Sequence, residues 1–200
     1  TVNIPADITI DNQLSFTKGN ITTAAMKVVM SAGATVTGAD QSTGWVFGNL
    51  QKNVSTGSSI ARDFEIGDAN FYLPVNMLFN TVSIAGDLTG AVASNDHIEI
   101  DYSRIDPTKS VNLAWSFNNS GILFSDATLS FNWDASAIDA GANTGDFKVA
   151  AFNGSSWALQ TIASPLPVSI EATAVTSMAD FAVGEKITKT NSNGNSFTND

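Results

Sequence analysis

The chain has no cysteine, one histidine and few charges. Without cysteine there is no disulfide, no thiol nucleophile and no thiolate ligand for a metal. With His97 as the sole imidazole, a structural or catalytic zinc site lacks its usual donors. Charged residues make up 14% of the 200 positions, against about 25% in an average globular domain. Ser, Thr, Asn and Gly take their place, the residues that build wet sheet faces and turns. Basic residues are the scarcest: nine Lys and Arg stand against nineteen Asp and Glu, for a net charge of -10. That field repels a phosphate backbone, which argues against nucleic acid as a partner. It also disfavours an anionic membrane surface. No apolar run approaches the ~20 residues needed to cross a bilayer, so no membrane insertion is expected. No basic-then-apolar leader opens the chain, and Thr1 reads as a mature or excised start. A Gly-x-Ser-x-Gly elbow, a phosphate-binding loop and a His-Glu-x-x-His motif are all missing from the sequence.

What the chain does have is hydrophobic residues, 43% of the total, arranged with period two. Val111, Leu113, Trp115 and Phe117 alternate with Asn112, Ala114 and Ser116. Leu129, Phe131 and Trp133 do the same, as do Val168, Ile170, Ala172 and Ala174, and Ile98, Ile100 and Tyr102. Period two sends alternate side chains to opposite faces of a strand, one buried and one wet. Turn signals separate these runs. Asn153-Gly154, between 147–152 and 157–162, is the strongest, since both residues tolerate the positive φ of a tight hairpin. Lys18-Gly19-Asn20, Ala85-Gly86-Asp87, Asn119-Ser120-Gly121 and residues 141–145 are further turns or loops. Residues 103–109 and 135–140 could each hold one helical turn, and nothing longer carries a 3.6-residue stripe. The pattern predicts an all-β protein, an antiparallel β-sandwich of the Ig-like or jelly-roll-like kind.

Residues 1–55 differ from the rest. Ile8/Ile10, Leu14/Phe16, Met26/Val28/Met30 and Val36 are short apolar groups between Gly, Asn and Thr turns. They suit either the first strands of the sandwich or a separate β-solenoid-like layer. Residues 186–200, with Asn191-Ser192-Asn193-Gly194-Asn195-Ser196, have the composition of a polar linker or tail, which leaves 1–185 as a single domain. Phe64-Glu65-Ile66-Gly67-Asp68 and Phe181-Ala182-Val183-Gly184-Glu185 echo each other. Five residues read as two similar strand ends rather than as a duplication.

Candidates for chemistry are sparse. A Ser–His–Asp triad would have to use His97, with Asp96 or Asp101 beside it. Its place in the alternating run 97–102 reads as a wet strand face, so a surface histidine is expected. Carboxylate pairs such as Asp63/Glu65 and Glu99/Asp101 are i, i+2 neighbours, as on any exposed strand, and do not announce a glycosidase. The expectation is of no catalytic residue and no bound cofactor, with Ca²⁺ the one ion the charge invites. Asp134, Asp139, Asn143 and Asp146 are the candidate ligands because they share one loop, although they lack the spacing of a twelve-residue Ca²⁺ loop. Asp96, Glu99, Asp101 and Asp106 form a second acidic stretch. Among the four tryptophans, Trp115 and Trp133 lie on apolar stripes, and Trp157 suits packing across the Asn153-Gly154 hairpin. Trp45, after Gly44, and Tyr72 are the candidates for stacking on a glycan.

One ordered set of motifs resembles a known family. It runs from Gly44-Trp45-Val46-Phe47-Gly48-Asn49-Leu50 through Phe64-Glu65-Ile66-Gly67-Asp68 and Tyr72-Leu73-Pro74-Val75 to Val111-Asn112-Leu113-Ala114-Trp115. It ends at Phe152-Asn153-Gly154-Ser155-Ser156-Trp157 and Ala179-Asp180-Phe181-Ala182-Val183-Gly184-Glu185. Together these resemble a β-rich module of large secreted and cell-surface, adhesin-like proteins of Bacteroidota-type bacteria, over most of residues 33–185. The resemblance implies an extracellular or cell-surface location and a non-enzymatic, structural or adhesive role. It carries no catalytic residues. Partners would be neighbouring copies or modules of one surface assembly, a filament or a giant adhesin. Residues 1–11 are a candidate for β-strand addition to a neighbour, shortened by Pro5. A carbohydrate-binding module is the alternative.

Overall fold

The computed structural model describes residues 1–190 and 196–198. Strands dominate, and three 3₁₀ turns are the only helical pieces among the described residues. An eleven-stranded sheet begins with Val2–Asn3 and Ile8–Ile10 at one edge. It continues through Ile21–Met30, Val46–Val54, Gly86–Ala93, Ala114–Ser120, Asp180–Lys186 and Phe147–Phe152 to Trp157–Leu159. Ile66–Gly67 pairs with the strand Val46–Val54, and Ile105–Ser110 with Asp180–Lys186. A six-stranded antiparallel sheet is centred on Val75–Ile84, flanked by Gly57–Phe64, Leu123–Phe124 and Ala127–Asn132, and completed by Ser169–Val175 and Thr161–Ile162.

One core joins the two sheets. The buried phase of each alternating run supplies it: Leu113, Trp115 and Phe117 from one sheet, Leu129, Phe131 and Trp133 from the other. Their rings touch in a chain across the interface. Phe64 meets Phe117 at 5.3 Å, Phe131 meets Phe181 at 5.1 Å, and Trp115 meets Phe131 at 5.1 Å. Offset and edge contacts of this kind add to the burial of the rings themselves.

The first third of the chain stacks in parallel. Ile8 pairs with Val28, and Val28 with Leu50. Leu14 pairs with Val36 in a small parallel ladder of Gln13–Ser15 on Thr35–Thr37. Like residues therefore sit above like residues at steps of 20 to 22 positions, so residues 1–55 form solenoid-like rungs. The third rung, Val46–Val54, then pairs antiparallel with Gly86–Ala93, which makes the stack continuous with the large sheet.

Four local expectations are corrected. Residues 97–102 are not a strand but a loop with a 3₁₀ turn at Ile100–Tyr102, and only Ile100 of the three apolar positions is buried. Residues 103–109 are not helical; Ile105–Ser110 is a strand. The alternation over 168–174 holds only at Ile170 and Ala172: Val168 is exposed in the turn before the strand, and a register shift between Ala127 and Leu129 puts Ala174 outside, at φ 54°, and turns Val175 inward. The hairpin at Asn153-Gly154 forms, with Gly154 at φ 92° and Phe152 opposite Trp157. However, its second strand stops at Leu159, and Thr161–Ile162 crosses to the other sheet. In the tail, Thr188–Thr190 pairs with Ser196–Thr198. Residues 191–195, the heart of the expected linker, lie outside the described residues.

Candidate functional site: a groove on the outer face of the large sheet

The strand Gly86–Ala93 leads into a loop that returns along Ile105–Ser110, and side-chain bonds fix this loop along its length. Ser94 Oγ donates to Asp68 Oδ2 at 2.8 Å, and Asp96 Oδ1 accepts from Ser110 Oγ at 2.8 Å. Trp157 Nε1 donates to the Glu99 carbonyl at 2.9 Å, and the Ser103 hydroxyl accepts from Ile105 N at 2.9 Å. Burial raises the Asp96 carboxyl above the usual carboxylate range, against the lowering effect of the Ser110 hydroxyl.

His97 sits at the centre, its side chain 11% exposed, which overturns the expectation of a surface histidine. Its ring lies edge-on to Trp157 at 5.0 Å and tilted on Phe152 at 5.1 Å. Nδ1 accepts from the Glu99 amide at 3.1 Å, so in the neutral ring the proton is on Nε2, which faces Asp180 Oδ2 at 3.2 Å. Asp180 Oδ1 accepts from Ser116 Oγ at 2.8 Å. The chain Ser116–Asp180–His97 thus has its carboxylate in the middle. A nucleophilic serine needs the imidazole there, as the base that takes its proton; in this arrangement the Ser116 hydroxyl meets only a carboxylate.

Beside this chain, Ala91, Ala93 and Ala114 form a low floor to a cavity of about 350 Å³. It continues past Asp180 into a second depression of about 410 Å³ against Phe152 and Gly154, and a third of about 590 Å³ between Tyr102 and Trp157. The loop holds Ile98, 90% exposed, and Tyr102, 81% exposed, at the rim.

The candidates read from sequence lie elsewhere. Trp45 is buried, with Nε1 donating to the Asp68 carbonyl at 2.9 Å, and Tyr72 leans on it, ring centres 6.1 Å apart. Burial and nearby carboxylates push the Tyr72 phenol up. Trp45 therefore has no ring face open to a ligand, whereas Tyr72 remains partly exposed. Of the proposed Ca²⁺ ligands, Asp134 caps the turn Ala135–Ala137 and Asp139 accepts from Ser110 N and Asn112 Nδ2. Asn143 bonds to Asp146. Asn143 and Asp146 are thus joined, whereas Asp134 and Asp139 each serve a separate local purpose, and no three carboxylate, histidine or cysteine side chains converge among the described residues. The alternation of 98–102 concealed the groove, and so did the sequence separation of 83 residues between His97 and Asp180.

Comparison with protein-family models, with curated proteins and with solved structures finds no match for this chain.

Proposed function

We propose that the chain is a non-enzymatic structural and adhesive module of a bacterial surface protein or filament, working outside the cell. The observation that carries this reading is the open end of the parallel stack. Val28 and Leu50 are fully buried within the column, whereas Ile8, Ile10 and Leu14, in the first rung, are only partly covered. Rungs of this kind gain their burial from neighbours on both sides, and an end rung that is not polar invites another.

Residues 1–11 already pair with Ile21–Met30 along one side, so the neighbour adds to their other side instead of receiving them as a free strand. The order of motifs resembling adhesin-like surface proteins supports the extracellular placement, which the Cys-free composition permits. An antiparallel sandwich of the Ig-like or jelly-roll-like kind, preceded by rungs, makes a compact segment for a longer rod.

The test is negative-stain microscopy of native material with a single edge variant. Ile10 accepts from Ser31 N, so by strand alternation the Thr9 N–H points away from the stack. Thr9→Pro removes that donor while leaving the chain's own ladder intact. Rods or beaded chains that shorten or separate in the variant support the proposal. Isolated monomers from native material, or assemblies unchanged by Thr9→Pro, refute it.

A further inference from the structure

We infer that the groove around His97 and Asp180 binds a neutral, linear oligosaccharide, a role that goes beyond the structural reading and rests on a different face of the molecule. Three features converge. The first is shape: the middle depression shares Ser116 and Asp180 with the one beside His97, and Phe152 and Gly154 with the one beside Tyr102. Each falls within the ~300–1,000 Å³ of small-molecule sites, and their succession fits a chain of units better than one compact ligand.

The second is chemistry. Tyr102 offers an aromatic face whose negative quadrupole attracts the C–H faces of a pyranose. Further along the groove, in the other two depressions, the Asp180 carboxylate and the Ser116 hydroxyl retain lone pairs beyond those in use, so they can accept from sugar hydroxyls. Within the groove Asp96, Glu99 and Asp180 place negative charge with no Lys or Arg side chain among its lining residues, which disfavours uronates and sulfated or sialylated chains and leaves neutral ones.

The third is rigidity. The loop carrying Ile98 and Tyr102 is fixed by Trp157 Nε1 on the Glu99 carbonyl and by the imidazole on both the Glu99 amide and Asp180. Groups held in place before binding lose little freedom on binding. That rigidity explains why two apolar side chains stand exposed at a loop rim without collapsing onto the sheet.

Affinity electrophoresis through gels containing soluble β-glucan, xylan, galactomannan or dextran tests this, with alginate and heparin as acidic arms. The expected result is retardation by at least one neutral polymer. Tyr102→Ala and Asp180→Asn should each weaken it at least tenfold, while Val168→Ser, in the turn before Ser169–Val175 of the other sheet, leaves it unchanged. A thermal melt of Tyr102→Ala, at a position 81% exposed, confirms that the fold is kept. Retardation by no neutral polymer, retardation only by the acidic ones, or binding that survives Tyr102→Ala overturns the inference. None of these results alters the Thr9→Pro outcome, so the two proposals fail separately.

Discussion

Lys52 occupies a core position of the strand Val46–Val54, in phase with Leu50 and Val54 and in register with Met30. Its ammonium lies 2.5 Å from Glu65 Oε2, the two side chains 11% and 13% exposed. Glu65 stands at the point where the chain leaves the small sheet at Phe64 and enters the large one at Ile66. Desolvation is the largest influence on its carboxyl and raises it above the ordinary 4.5, although Lys52 pulls it the other way. Lys52→Met extends the apolar column below Met30 but leaves that carboxyl without its cation. Breaking a buried pair in this way ordinarily costs about 3–5 kcal/mol. Here the cost has a ceiling, since Glu65 can take up a proton. At 1.36 kcal/mol per unit, neutralising a carboxyl of ordinary pKa 4.5 costs about 3.4 kcal/mol at pH 7 and about 1.4 kcal/mol at pH 5.5. The sign follows from linkage: a carboxyl raised in the folded state favours folding most below its unfolded pKa, and that advantage is lost as pH rises through the folded value. Urea unfolding followed by tryptophan fluorescence should therefore show a large loss at pH 7 and a smaller one at pH 5.5. Lys52→Met/Glu65→Gln should recover most of the loss and abolish its pH dependence. An equal loss at both pH values, or one under about 1 kcal/mol at pH 7, would mean that water reaches the carboxylate, and the reasoning would fail.

Three further outcomes follow from local geometry. A Cβ at Gly90 would stand 2.5 Å from the Phe117 ring and 2.8 Å from Phe64, so Gly90→Ala should cost about 1–3 kcal/mol by overpacking, read as a lowered urea midpoint. Ala174 is held at φ 54° by the register shift, and Ala174→Gly should raise stability by about 1 kcal/mol in the same assay, since the left-handed region penalises a Cβ. Asp40 accepts from the amides of Ser42 and Thr43 and from the Ser42 hydroxyl, which hold its carboxyl at about 2. Its contribution is complete above 3.8 and lost as pH falls toward 2, so Asp40→Asn should flatten that part of an acid titration followed by near-UV circular dichroism.

The fold was legible where burial is set by short-range alternation. Trp115, Phe117, Leu129 and Phe131 declare a face because each strand's neighbours repeat the same period, and the shared core follows from their fit. The parallel stack was legible only as one of two readings of residues 1–55, since spacing alone does not say whether Ile8 stands over Val28 or opposite it. The groove was not legible. Ile98, Ile100 and Tyr102 carry a strand's period on a loop, because the return of the chain along Ile105–Ser110 and the bond from Trp157 Nε1 to Glu99 outweigh local pattern. The echo of Phe64–Gly67 in Phe181–Gly184 acquires a physical meaning only in three dimensions. In both, the glycine lies where a Cβ would strike neighbouring backbone: Phe71 O at Gly67, and Ser110 Cα, 2.7 Å away, at Gly184. No spacing rule reveals such a close approach.

The two proposed surfaces are compatible because of where the large sheet changes from parallel to antiparallel. The open edge belongs to Ile8–Ile10, and two strands separate it from Gly86–Ala93, which supplies the groove's floor. At about 4.8 Å per strand that is a separation of roughly 15 Å. An added rung extends the sheet within its own plane, whereas the groove opens perpendicular to it. A neighbour at the edge therefore lengthens the rod without covering Asp180 or Tyr102.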